Sequence, residues 1–217
     1  MSVSRHHLSL YSVADSGHRS YRRDMPMNLL HRRICSSEDW ARQVREHKLP
    51  WSLRGVELGD DLLEIGPGYG ATTRVLVDMA PNVTAVEVDE KSALDLQREF
   101  TGKATVLHGD GSRMSLTDNE FSSVVCFTML HHVPTREMQD GIFAEAFRVL
   151  KPGGVFAGSD SRLSFRFRLL HIGDTMNIVD PEELPERLRR AGFEDVEVTL
   201  GEGAFKFRAG KPVAPPR

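Results

Sequence analysis

The sequence predicts an α/β fold: a doubly wound, mostly parallel sheet with an antiparallel C-terminal hairpin and an N-terminal helical cap. Three observations predict it. Short apolar runs alternate with helical segments of about ten residues, the pattern of right-handed βαβ units. One such run, Leu62-Leu63-Glu64-Ile65, enters the bend Gly66-Pro67-Gly68-Tyr69-Gly70, and a helical pattern begins at once with Ala71-Thr72-Thr73. Near the end, Val196–Leu200 and Ala204–Arg208 flank Gly201-Glu202-Gly203 as two strands of a hairpin.

Taken in order, residues 1–24 are rich in Ser, His and Arg without a sustained period, and read as a disordered extension. His6 and His7 have no acid or cysteine partner nearby and read as part of that tail. Residues 25–58 form the expected helical cap, with a helix start at Ser36 or Ser37 and Leu29, Leu30, Ile34, Trp40 and Val44 at helical spacing. Trp51 is expected to wall a pocket or plug the core. Residues 59–217 form the main domain. After the glycine bend, Thr73–Met79 is expected to turn Val75, Leu76 and Met79 to the sheet. Glu90–Phe100 should do the same with Ala93, Leu94, Leu96 and Phe100, and Glu137–Leu150 with Ile142, Phe143, Ala146, Val149 and Leu150. Lys151-Pro152-Gly153-Gly154 ends that helix, because proline cannot continue it and glycine tolerates the reversal. Ser161–Ile178, where Arg162, Arg166 and Arg168 interleave with Leu163, Phe165 and Phe167, reads as an insertion covering a ligand site, edge strand or basic lining. The last helix is expected to be capped by Asp180, with Pro181 at its first position, Glu183 completing the capping box and Gly192 closing it. Lys211–Arg217 reads as a frayed tail.

The glycine bend carries the first functional signal. Glycine permits backbone angles that other residues avoid and lets a ligand approach the main chain. The N–H groups opening the following helix favour an acceptor or an anion. Gly66, Gly68 and Ala71 also satisfy the dinucleotide fingerprint, so a nicotinamide enzyme is one reading. Further signals follow in series: the acid-ended strand Val83–Asp89, the strand Val106–His108 with Asp110 just beyond, Val124–Phe127 leading into Thr128-Met129-Leu130-His131-His132, and Leu150–Phe156.

This series resembles the class I S-adenosylmethionine (SAM)-dependent methyltransferases of small-molecule type, strongly over residues 59–160. The resemblance implies a Rossmann-like domain with SAM as cofactor. It places the methionine end of the cofactor against Glu64, Ile65, Gly66, Pro67, Gly68, Tyr69, Gly70 and Thr73. The ribose falls to Glu87, with Val88 beside it, and the adenine to Asp110, Gly111 and Ser112. Thr128, Met129 and Leu130 lie where the transferred methyl group should be. Glu64 can accept from the cofactor ammonium or orient the bend. Asp89 competes with Glu87 by sequence, and the family pattern selects Glu87. His131 and His132 are the catalytic candidates, since an imidazole can take a proton from an acceptor hydroxyl or amine; structural histidines are the alternative. Asp160, His171 and Asp174 are weaker candidates for acceptor contact. No metal-binding set is legible.

Composition narrows the partners. A net charge of −3 over 217 residues does not advertise nucleic acid or an anionic membrane. The two cysteines are too few for a disulfide framework, and Cys126 reads as a buried small hydrophobe. No stretch reaches the ~18 apolar residues of a membrane span and no secretory leader is evident, so the expected location is cytoplasmic. An rRNA adenine dimethylase-like enzyme would carry an Asn-Leu/Pro-Pro-aromatic motif after the fourth strand, where this chain has Thr128–Pro134. An NAD-dependent oxidoreductase is disfavoured by Glu64 and by the lack of a Tyr-x-x-x-Lys pair. A SAM-binding protein without methyl transfer stays open. The leading expectation is methyl transfer to a small-molecule acceptor at an O, N or C atom.

Overall fold

The computed structural model describes residues 28–164, 168–169 and 171–213. The expected extension over 1–24, His6 and His7, Phe165, Arg166, Phe167 and the last four residues lie outside the described residues. Seven strands form one sheet in the order β3-β2-β1-β4-β5-β7-β6. They are β1 (Asp61–Ile65), β2 (Asn82–Glu87), β3 (Thr105–His108), β4 (Phe121–Phe127), β5 (Leu150–Ser161), β6 (Glu194–Leu200) and β7 (Ala204–Gly210). The first five run parallel, and β7 is antiparallel to both β5 and β6. The fold class read from the sequence is therefore the one observed.

Period-two alternation puts both sheet faces under cover. Leu63, Ile65, Val124, Cys126 and Phe156 point to one face and pack with the helix Arg136–Val149 and the later helix Leu184–Arg190. Leu62, Val83, Val125 and Ala157 point to the other, against Leu49, Leu53 and Leu76. Cys126 is 1% exposed, as a small buried hydrophobe should be.

In chain order the helices are α1 (Leu29–Cys35), α2 (Glu38–Gln43), α3 (Leu49–Ser52), α4 (Thr73–Leu76), α5 (Glu90–Glu99), α6 (Arg136–Val149) and α7 (Leu184–Arg190), with a π-helical turn over Val44–Lys48. Ser37 caps α2 by accepting from the Trp40 N–H at 3.2 Å. All five residues expected to face inward from α6 and its end are buried.

Several local expectations fail, each for a physical reason. Met79 and Leu94 are exposed rather than inward, because helical spacing alone defines a stripe wider than the sheet can cover. The segment after Val149 continues directly as β5, with Gly153 at φ +80° absorbing the bend. Glu183 is the N-cap of α7 and Pro185 lies in its first turn, while the Asp180 carboxylate accepts from the Glu182 N–H within the preceding turn. Lys211 is no frayed residue. Its ammonium donates to the carbonyls of Phe147 and Leu150 at 2.7 and 2.8 Å, collecting acceptors left over at the end of α6.

Candidate functional site

The candidate site lies along the carboxyl ends of β1, β2 and β4, where the strand order reverses direction on either side of β1, the place where open α/β sheets bind ligands. The glycine bend is held from inside. The Gly66 N–H donates to the Val86 carbonyl at 2.9 Å, the Gly68 N–H to Glu87 Oε2 at 2.9 Å and the Gly70 N–H to the Pro67 carbonyl at 2.9 Å. This corrects the expectation of N–H groups free for a ligand at Gly66, Gly68 and Gly70. Those three donors are spent, and α4 has only four residues.

Two glycines show why no other residue suits the bend. Gly68 has φ +57° and a Cβ there would meet nothing within 4 Å, so the main chain is open to a ligand. Gly70 has φ +73° and a Cβ would fall 2.6 Å from Leu96 Cδ2. Gly70→Ala is therefore expected to destabilise the fold by about 2 kcal/mol, from backbone strain and overpacking together. Denaturant unfolding measures it.

Acids surround the bend. Glu64 is fully buried, and its two oxygens accept from the Thr72 and Thr73 hydroxyls, the latter at 2.6 Å. Burial pushes its carboxyl up to about 7, against the two hydroxyl bonds that pull it down. Glu87, 6% exposed, also accepts from the Asp89 N–H at 2.9 Å, and burial raises its pKa too. Asp89 lies beyond β2 and caps α5 by accepting from the Ser92 N–H at 2.8 Å, which separates it from Glu87. Asp110 Oδ1 accepts from the Ser112 N–H and hydroxyl at 2.8 and 2.7 Å. A Cβ on Gly66 would touch the Met129 side chain at 3.0 Å, so the end of β4 abuts the bend.

Thr128 has φ +51°, a strained angle for a β-branched residue, and its N–H donates to the Ser159 carbonyl at 2.8 Å. Beside it opens a cavity of about 310 Å³. It is lined by Thr128, Ser159 and Asp160, by Lys48 and Trp51 from the helical cap, and by Gly201, Glu202 and Ala204 from the hairpin. Trp51 also packs against Gly201 and its carbonyl accepts from the Lys206 ammonium at 3.0 Å; half-buried and outside the core clusters, it is a wall of the cavity. The hairpin wall was not legible in the sequence, which assigned cover to Ser161–Ile178.

The two histidines differ. His131 is buried, and Asp160 binds it twice: Oδ1 lies 2.5 Å from Nδ1, and Oδ2 accepts the backbone N–H at 3.0 Å. His132 is held down to about 2 by burial and by His131, His31 and His171 around it, so it stays neutral at physiological pH. A neutral imidazole of so low a basicity is a poor general base. His171 and Asp174 lie apart from the residues lining the cavity: Asp174 Oδ2 is 2.8 Å from His31 Nδ1, on α1.

Residues 63–158 match a family described as a methyltransferase domain. A probable SAM-dependent methyltransferase of Mycolicibacterium smegmatis is 33% identical over 147 residues, 66% of this chain and 55% of that protein. The sterol 24-C-methyltransferase erg6 of Aspergillus fumigatus is 31% identical over 167 residues, 69% of this chain and 43% of its own length. The chain thus spans about half the length of the curated relatives it matches. A Thermotoga maritima SAM-dependent methyltransferase, described as a possible histamine N-methyltransferase, superimposes with a TM-score of 0.67 at 22% identity, over 84% of this chain and 97% of that one. Sheet order, glycine bend and acid-ended second strand are those of a Rossmann-like domain, and the methyltransferase-domain match falls on that part of the chain. Over residues 63–158 the chain is similar to the class I SAM-dependent methyltransferases, a family whose cofactor is S-adenosylmethionine. Among the described residues no helix is long and apolar enough to cross a membrane.

Proposed function

We propose that the protein transfers a methyl group from SAM to a small-molecule acceptor held in the cavity over Thr128, Ser159 and Asp160. The observation that carries this reading is the position of that cavity. It opens at Thr128, just past β4, and the following residue, Met129, abuts the glycine bend. Its volume of about 310 Å³ suits a small ligand rather than a polynucleotide. The sterol and amine named for the relatives are small molecules too.

The residues around the bend fit the cofactor. The open main chain at Gly68 admits close approach, and a cationic ligand is matched by the carboxylates of Glu87, Asp89 and Asp110. In this reading Gly66–Gly70 hold the methionine end, Glu87 the ribose, and Asp110 with Gly111 and Ser112 the adenine. Val88 flanks the adenosine, and Thr128, Met129 and Leu130 face the sulfur. Ile65 and Thr73, 1% and 0% exposed, support the bend from beneath, as does Glu64 through its threonine bonds. SAM supplies a methyl group already activated on a sulfonium, so the protein's share is chiefly proximity and orientation. Asp160 meets the acceptor and holds His131, which makes that pair the candidate for receiving an acceptor proton.

His131→Asn is expected to lower kcat about tenfold, a modest loss for proton transfer because the donor is activated, and to leave SAM affinity unchanged. Steady-state kinetics with titration calorimetry separates the two effects. Turnover of methyl-labelled SAM across a metabolite panel tests the function itself. Label in a small product supports the reading, whereas SAM binding without transfer to any small molecule, or transfer only to RNA, overturns it.

A further inference from the structure

Three imidazoles from distant parts of the chain converge beside the sheet: His31 on α1, His132 in the short 3-10 turn Leu130–His132 after β4, and His171 in the segment after β5. One ring nitrogen from each lies within 4.8 Å of the other two. The ring centroids are 4.4 Å apart for His31 and His171, 5.2 Å for His31 and His132, and 5.5 Å for His132 and His171. His31 and His171 are each 4% exposed, so the rings meet in the interior rather than in solvent.

We propose that His31, His132 and His171 bind one transition-metal cation, with Zn²⁺ the expected occupant, clasping α1 to the carboxyl edge of the sheet. Two of the rings are already oriented from behind, as ligating histidines usually are. His31 Nδ1 faces Asp174 Oδ2 at 2.8 Å, which directs Nε2 of that ring to the cluster. His132 donates to the backbone carbonyl of Thr175, the residue after Asp174. Asp174 Oδ1 also accepts the Asn28 N–H at the start of α1, so the same acid fixes the helix and its histidine. Three imidazole nitrogens suit Zn²⁺, Co²⁺ or Ni²⁺ and not Mg²⁺ or Ca²⁺, which prefer oxygen. Metal–nitrogen bonds of about 2.0–2.1 Å in a tetrahedral set hold the nitrogens about 3.3 Å apart, so small ring rotations close the present spacing. Sequence spacing could not show this set, because its members come from three separate segments. The site is independent of the cofactor reading and involves none of the residues assigned to SAM.

The full chain, stripped with a chelator, is titrated with Zn²⁺ against a chromophoric competitor, and its thermal midpoint is read with and without Zn²⁺. One tight equivalent per chain and a raised midpoint are expected. His31→Asn and His171→Asn should abolish that equivalent, and Asp174→Asn should weaken it about 10- to 100-fold, whereas a His6→Asn, His7→Asn control should not change it. If the histidine variants do not fold, Co²⁺ added to the stripped wild type should give the intense visible bands of a tetrahedral nitrogen site. No rise in wild-type midpoint, an undiminished equivalent in the variants, or only weak octahedral Co²⁺ bands would each show that the rings merely pack together.

Discussion

Glu87→Ala is expected to weaken SAM binding about a hundredfold, read by titration calorimetry. Glu87 Oε2 accepts from the Gly68 N–H and Oε1 from the Asp89 N–H, both at 2.9 Å, so one side chain fixes both the bend and the end of β2. A carboxylate offers about four lone-pair sites, more than these backbone donors use, so it can still accept from the ribose. Removing it costs those hydrogen bonds to a charged group and leaves the Gly68 N–H unmatched, about 3 kcal/mol in all. Glu87→Gln keeps the shape and part of the bonding and should lose only about tenfold. Equal affinity in wild type and both variants would remove Glu87 from the ribose.

Glu64→Gln is expected to make the cofactor-free protein more stable than wild type at pH 8 and no more stable near pH 4.5. The Glu64 carboxyl stands at about 7 in the folded protein against 4.5 without burial. Between those values the folded state keeps a proton that the unfolded chain releases. Folding stability is therefore full below pH 4.5 and falls as pH rises to about 7, by about 3 kcal/mol for this group. Glutamine carries no charge to bury, so its curve lacks that contribution. One of its two atoms cannot accept from a threonine hydroxyl, which reduces the gain at pH 8 to about 2 kcal/mol. Glu87 is shifted in the same direction and gives both proteins a residual slope. Denaturant unfolding across pH gives both curves. Parallel curves would mean that Glu64 is ionised in the folded protein well below pH 7.

The sheet was legible because its strands are short, apolar and separated by glycine or acid, and the bend because three glycines at alternate positions have few other uses. What escaped were contacts between segments far apart in sequence. Asp160 bonds to His131 across β4 and β5, and nothing in the order of residues announces that 2.5 Å pairing. The cavity wall at Gly201–Ala204 was missed for the same reason, since a hairpin reads as an edge until its neighbours are known. Helix faces were misjudged at Met79 and Leu94, where spacing was right but the partner surface was too narrow. The start of α7 was displaced because Asp180 and Pro181 serve a turn ahead of it.

The most direct measurement is a crystal structure of the protein with S-adenosylhomocysteine. The amino-acid end is expected along Gly66–Gly70, both ribose hydroxyls on Glu87, the adenine beside Asp110 and the sulfur facing the cavity over Thr128. A ligand bound elsewhere, or ribose hydroxyls turned away from Glu87, would contradict it.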